Sequence, residues 1–123
     1  MCTLFWDQSE SFDFTKYDAC DNDDARSAIL HQADYGTIIY VYDNSKGEKG
    51  DDWTEIKVAA NLHFDDNNKH VQVKALVAQD VMIDTFEKSQ VIEVGDGTVE
   101  ITHHHRDNLD GKVSRVEIVI FKE

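Results

Sequence analysis

Two segments of this 123-residue chain carry oxygen-bearing side chains in the same order, each just before a predicted strand. One runs from Asp23 to Ile29 and the other from Asp110 to Val116. Each has an acidic residue, an acidic or small residue, two variable residues and a serine. Calcium binds about six to eight hard oxygen ligands in a flexible geometry. Carboxylates, serine hydroxyls and turn carbonyls supply such ligands, so the repeat predicts a calcium site at Asp23, Asp24, Ala25, Ser27, Asp110, Gly111, Lys112 and Ser114.

Ala25 and Lys112 would contribute only their backbone carbonyls to that site. Either segment alone also fits an ordinary turn, because Asp and Ser side chains before a strand hydrogen-bond to nearby backbone groups. The repetition favours a paired site, in which the two turns share ligands across a pseudo-twofold axis.

Three consecutive histidines, His103 to His105, end another predicted strand. Alternation sends His103 and His105 to one face and His104 to the other. His103 and His105 could chelate a transition metal, with His63 or His70 completing the site. No zinc-type spacing of Cys or His accompanies them, which favours the alternative of an exposed polar strand end.

Aromatic and acidic residues suggest two further kinds of chemistry. Five aromatic side chains fit either a sugar-binding platform or, more commonly, anchors of a β-sandwich core: Trp6, Trp53, Tyr35, Tyr40 and Tyr42. Three acidic pairs have the residue type of a glycosidase carboxylate pair, although acidic turns are common: Asp23-Asp24, Asp51-Asp52 and Asp65-Asp66. No Gly-x-Ser-x-Gly, P-loop or dinucleotide motif is present, so the sequence predicts no enzyme.

Strands must position these groups, because apolar residues recur at every second position. The clearest run is Thr54 to Phe64, with apolar residues from Ile56 to Phe64 sharing one face. Asp23 to Gln32 fits either a short helix or a loop followed by a strand. The predicted strands are Thr3 to Trp6, Phe12 to Tyr17, Thr37 to Tyr42, Thr54 to Phe64, His70 to Gln79, Val91 to Val94, Thr98 to His103 and Lys112 to Phe121.

Turn residues join these strands into hairpins within one domain, residues 1–123. Gly95-Asp96-Gly97 predicts a tight hairpin, Gln8-Ser9-Glu10 predicts an N-terminal one, and Ser45 to Asp52 predicts a long loop between two strands. The predicted class is all-β, a Greek-key β-sandwich of about eight or nine strands. A closed barrel is the alternative.

The two acidic segments resemble the motif of the βγ-crystallin superfamily, Asn/Asp-Asn/Asp-x-x-Ser/Thr-Ser before the last strand of each Greek key. Leu109 to Ile118 is the better likeness, and Ile38 to Asp43 resembles the first hairpin of the family. The resemblance implies a two-sheet, wedge-shaped sandwich that binds calcium, as microbial members do. Ala28 and Arg115 depart from the final serine of the motif, and Gly111 departs from its second Asn/Asp.

Composition limits the partners. The chain has 25 Asp+Glu against 12 Lys+Arg, a formal net charge of −13 at pH 7. This charge argues against nucleic acid and anionic membrane surfaces, and it leaves cations and basic protein surfaces. No signal peptide is visible at the start, which favours a cytoplasmic over a secreted protein. Cys2 and Cys20 permit one disulfide or none.

The sequence as a whole predicts a non-enzymatic, calcium-binding or structural protein of the βγ-crystallin type. The alternative is an acidic inhibitor or toxin-like effector that binds a basic surface of another protein.

Calcium should therefore raise the melting temperature by several degrees, because at about a hundredfold excess over Kd a ligand of the folded form stabilises it by about 2.7 kcal/mol. Magnesium at equal ionic strength should stabilise much less, since it prefers rigid octahedral sites and sheds water reluctantly. Ser114→Ala should reduce the calcium-specific part only. Equal melting temperatures in the two cations, unchanged by Ser114→Ala, would show that both segments are only turns.

Overall fold

The structure is a computed structural model that describes residues 4, 6, 8–16, 27–31, 33, 35–47, 52–60, 62–64, 70–72, 80–94, 97–104 and 113–120. Every regular element among these residues is a β-strand, which confirms the all-β class. None of the described residues belongs to a helix able to cross a membrane. The strands are β1 (Glu10–Asp13), β2 (Ala28–Leu30), β3 (Thr37–Tyr42), β4 (Trp53–Ala60), β5 (Leu62–Phe64), β6 (His70–Gln72), β7 (Val81–Ile83), β8 (Gln90–Val94), β9 (Gly97–His104) and β10 (Arg115–Ile120).

Six strands form one antiparallel sheet in the order β1-β10-β3-β4-β9-β8. The pairs β2–β7 and β5–β6 each form a two-stranded sheet. Within the large sheet, β3–β4 and β8–β9 join strands that follow each other in the chain, whereas β1–β10, β10–β3 and β4–β9 join distant ones. The described strands leave β1 and β8 as edges, so this sheet is open and is not a closed barrel.

Alternation along these strands separates an inward from an outward face. Ile39 lies opposite both Ile56 and Ile118, and Ile56 lies opposite Ile101, which gives a continuous apolar row across four strands. The β2–β7 pair contributes to the same core and so packs on the inward face. The buried core residues are Phe12, Phe14, Leu30, Ala33, Ile39, Val41, Ile56, Val58, Val81, Ile83, Phe86, Val94, Val99, Ile101, Val113, Val116 and Ile118.

The predicted N-terminal hairpin is wrong in its described part. Leu4 and Trp6 lie outside any strand, and β1 begins at Glu10, where the sequence predicts a turn. β1 instead pairs with β10, which places Phe12 opposite Val116. Burial of this pair explains the arrangement, because both side chains join the core.

The remaining strand predictions hold in their described residues, with shifted bounds, and positions 73–79 of the predicted His70 to Gln79 strand lie outside the described residues. Ala28–Leu30 is a strand, in agreement with the loop-and-strand alternative for that segment. Phe64 lies opposite His70, which confirms the chain reversal between them. The described part of the chain has ten strands instead of eight or nine. Ala28–Leu30 and Val81–Ile83 are added and the long run before residue 65 is divided into β4 and β5, whereas the described residues of Thr3 to Trp6 form no strand.

The pairing of β8 with β9 is confirmed. Gly97, at the start of β9, has no room for a side chain. Gly97 is the first residue of β9 and lies opposite Val94 and Ala60. A Cβ atom at this position would clash with the Ala59 carbonyl oxygen and with the ring of Tyr35. The Tyr35 hydroxyl donates a hydrogen bond to the Val94 carbonyl at 3.3 Å. The tyrosine ring therefore occupies the space that a side chain at Gly97 would need.

Gly97→Ala should lower the free energy of unfolding by about 1–3 kcal/mol, because the clashing carbonyl belongs to the sheet backbone and has little room to move. The matched control is Thr98→Ala, whose side chain is on the outward face, with an expected loss of about 0.5 kcal/mol or less. Urea unfolding measures both values. Equal losses in the two variants would contradict the packing described for Gly97.

Candidate functional site

Of the predicted calcium-site residues, the structure describes Ser27 and Ser114. Ser27 directly precedes β2 and Ser114 directly precedes β10, so both segments lead into strands as predicted. The other predicted ligands lie outside the described residues: Asp23, Asp24, Ala25, Asp110, Gly111 and Lys112.

The two serines lie in different surroundings. Ser27 is exposed, whereas Ser114 is 6% exposed. The Ser114 backbone N–H donates to the Tyr42 carbonyl and its carbonyl accepts from the Phe14 N–H, both at 2.8 Å. Two positions after each serine, Ile29 is 53% exposed and Val116 is 9% exposed. The two segments therefore enter their strands with opposite faces toward the core.

The two cysteines and the acidic pairs of the glycosidase hypothesis lie largely outside the described residues. Cys2 and Cys20 are outside the described residues, as are both members of the pairs at 23–24 and 65–66. Asp52 is described, and it is buried just before β4. Its carbonyl accepts a hydrogen bond from the Asp43 N–H at 3.0 Å, which closes the connection between β3 and β4.

The histidine run divides between the two faces of β9, as alternation predicts. His103 points inward and is half-buried, whereas His104 points outward and is exposed. His105 lies outside the described residues, so its chelating pair with His103 stays a prediction. In the part of the chain that the structure describes, no three His, Cys, Asp or Glu side chains come together as a metal centre.

Hydrogen bonds of Thr54 and His103 connect the segment before β8 to the sheet. The Thr54 hydroxyl donates to the Phe86 carbonyl at 2.6 Å and lies 2.7 Å from His103 Nδ1. Since a hydroxyl has one proton to donate, His103 Nδ1 must carry a proton and donate it to Thr54. A histidine that activates a hydroxyl accepts a hydrogen bond from it. Here the histidine donates instead, so this bond is structural.

The outward side of the large sheet carries a cluster of rings, which we call the aromatic face: Tyr40, Tyr42, Trp53 and His104. Tyr42 lies opposite Trp53, and Trp53 lies opposite His104. The ring centroids of Tyr40 are 6.1 Å from Tyr42 and 6.2 Å from Trp53. Cross-strand aromatic pairs of this kind stabilise a sheet.

The residues of the sugar-platform hypothesis lie on two different sides of the large sheet, some against the core and others on the outward face. Trp6 and Tyr35 pack against the core, in agreement with the anchor interpretation. Trp53 stacks on His104 with centroids 3.8 Å apart and planes 6° apart, and on Tyr42 with planes 24° apart. A platform for a sugar needs a free ring face. Trp53 instead uses its faces within the aromatic row.

β10 adds an ion pair beside Tyr42. Arg115 Nε donates to Glu117 Oε1 at 2.9 Å, and Arg115 Nη1 donates to the Ser45 carbonyl at 3.2 Å. The Tyr42 hydroxyl donates to Glu117 Oε2 at 3.4 Å. These contacts hold the turn after β3 against this end of the aromatic face. Tyr42 is accordingly 3% exposed.

The row of the sheet that contains Tyr40 is acidic. Glu117 and Glu55 lie directly opposite Tyr40 on its two neighbouring strands. Burial raises the pKa of Tyr40, and the negative charges of Glu55 and Glu117 raise it further. Tyr40, Glu55 and Trp53 are only half-buried. Partly exposed rings beside carboxylates are suited to binding an ammonium or guanidinium group.

Sequence analysis named Tyr40, Tyr42 and Trp53 in the sugar-platform hypothesis. It did not join them with the neighbouring glutamates and His104, because these residues come from four strands that are separated along the chain. A partial signal was present in the alternation. Tyr40 and Tyr42 are two residues apart, as are Trp53 and Glu55. All four lie on the face of their strand that does not carry the buried apolar residues. Which strands lie side by side could not be read from that pattern.

Comparisons with protein-family models, with curated proteins and with solved structures gave no match to this chain.

Alkaline unfolding should depend on Tyr42. Burial raises the pKa of Tyr42 to about 12, and the Glu117 charge and hydrogen bond act in the same direction. Because this pKa exceeds the ordinary value of 10.0, the stability it contributes is fully present below about pH 10 and is lost as pH rises to about 12. Tyr42→Phe should lose less stability than the wild type over this interval, as measured by urea unfolding. An identical loss in both proteins would contradict a neutral, buried phenol.

Proposed function

We propose that the chain is a non-catalytic acidic binding protein that docks a basic surface of another protein against the aromatic face. The observation that carries this proposal is the row in which Glu117, Tyr40 and Glu55 lie side by side, next to Tyr42 and Trp53. The half-buried rings of Tyr40 and Trp53 and the neighbouring carboxylates offer negative charge and apolar ring area to the same partner, whereas Tyr42 is buried in the fold.

The composition of this face is that of a protein interface. Aromatic residues are enriched where binding energy concentrates, and surrounding polar groups exclude water from them. The net charge of −13 adds long-range attraction for a basic partner and raises the rate of encounter.

A second candidate is the calcium-binding or structural role of a βγ-crystallin-like Greek-key sandwich. What supports it is that both acidic segments lead directly into strands, β2 and β10. The different exposure of Ser27 and Ser114 means that the two segments would bind calcium unequally. The comparison of calcium with magnesium distinguishes this candidate from the first.

Charge reversal on the aromatic face tests the first candidate. The probe is a fluorescent peptide containing both lysine and arginine, and its affinity is measured by anisotropy. Glu55→Lys should weaken binding by about tenfold or more, because it places like charges together at the interface. The wild-type affinity should also fall with added salt.

The matched control is Asp84→Lys, at an exposed position just after β7. Each variant replaces one negative by one positive charge, so both change the net charge from −13 to −11. The control should weaken binding by about twofold or less. Equal weakening in both variants would show attraction to the whole protein and would contradict docking on this face, as would the absence of binding.

A further inference from the structure

Tyr40 differs from the other rings of the aromatic face in its cross-strand neighbours. Trp53 lies between Tyr42 and His104, so its neighbours are rings. Tyr40 lies between Glu117 and Glu55, so its neighbours are carboxylates. The negative charges of both glutamates act on the Tyr40 phenol and raise its pKa.

The two glutamates beside Tyr40 are used differently. Glu117 bonds to the guanidinium of Arg115 and accepts from Tyr42. Glu55 makes no hydrogen bond or ion pair to any of the described residues, although Lys57 follows it on the same face. Thr102, directly opposite Glu55 on β9, is exposed and carries a further hydroxyl. Glu55 is thus a half-buried carboxylate whose cross-strand neighbours are Tyr40 and Thr102.

Arg115 shows within the chain which group suits such a position. It lies directly opposite Tyr42, and its guanidinium donates to a carboxylate of the neighbouring row. Glu55 is a carboxylate of the same kind, and it lies directly opposite Tyr40, the other tyrosine of β3. Among the described residues, no cation pairs with the Glu55 carboxylate.

We propose that Glu55 and Tyr40 together form a recognition site for a single arginine side chain of the partner. This site rests on the proposed function and specifies its central contact. The guanidinium pairs with the Glu55 carboxylate and lies along the Tyr40 ring, and Thr102 can accept a further hydrogen bond.

Arginine fits this site better than lysine for geometric reasons. A guanidinium is planar, presents several N–H donors in a fixed fork and stacks on aromatic rings. It can therefore use the carboxylate and the ring at once. An ammonium group is compact and strongly hydrated, so it gains the charge attraction and little from the ring.

Two labelled peptides test the arginine site on the intact chain. One is a glycine peptide carrying several arginines, and the other has lysine at each arginine position. Anisotropy titrations should show that the arginine peptide binds about fivefold or more tightly than the lysine peptide. Glu55→Gln should remove most of that preference.

Glu100→Gln is the matched control. It removes the same charge from the outward face of β9, where the cross-strand neighbours are Lys57 and Val91, neither of which carries a ring. This variant should keep the arginine preference. Tyr40→Leu, which retains Glu55, should lower the preference, and its melting temperature shows whether the sheet is intact.

The outcomes separate this site from the proposed function. If both peptides bind the wild type equally, or if Glu55→Gln and Glu100→Gln lose the same preference, the arginine site is overturned and docking of basic surfaces remains. If neither peptide binds the wild type, both proposals fail.

Discussion

The pairing register of β3 with β4 is the constraint on which the rest of the structure depends. Ile39 opposite Ile56 and Val41 opposite Thr54 point into the core, so Tyr40 opposite Glu55 and Tyr42 opposite Trp53 must point outward. A shift of one residue in either strand would exchange its two faces. The cost of burying carboxylates and exposing isoleucines therefore fixes the core and the aromatic face together.

The inward residues were largely predictable, because period-two alternation is a local property of each strand. The apolar face of β4, the β8–β9 hairpin and the inward residues Val116 and Ile118 follow from residues that are neighbours in sequence. The pairing of β1 with β10 was not predictable, since the register joins Glu10 to Ile118 across almost the whole chain. Local pattern gives no information about which distant edge Phe12 covers.

The same limit explains the candidate site. Repetition in sequence suggested that Ser27 and Ser114 are equivalent, yet one is exposed and the other is buried, because β2 and β10 present opposite faces to the core. His103 and His104 are adjacent in sequence, but His103 makes a partly buried hydrogen bond and His104 makes an outward ring stack. The aromatic face arises only after β3, β4, β9 and β10 are placed side by side.

The aromatic face carries two of the acidic residues of the chain, Glu117 and Glu55, on either side of Tyr40. Glu117 is balanced by Arg115 within the fold, whereas Glu55 lies beside partly exposed rings. In the proposed function, long-range attraction by the whole surface and short-range selection by one carboxylate and one ring would be separate contributions to binding. The first would set the rate of encounter, and the second would determine which cationic side chain stays bound.

An NMR titration of the labelled chain with the arginine peptide tests this account most directly, because it maps contacts without altering the protein. The account predicts that the largest shift changes fall on the outward residues of β3 and β4, with Tyr40, Glu55 and the Trp53 indole foremost. The β2–β7 pair should change little. Changes centred on the acidic segments before β2 and β10, or spread evenly over the surface, would contradict it.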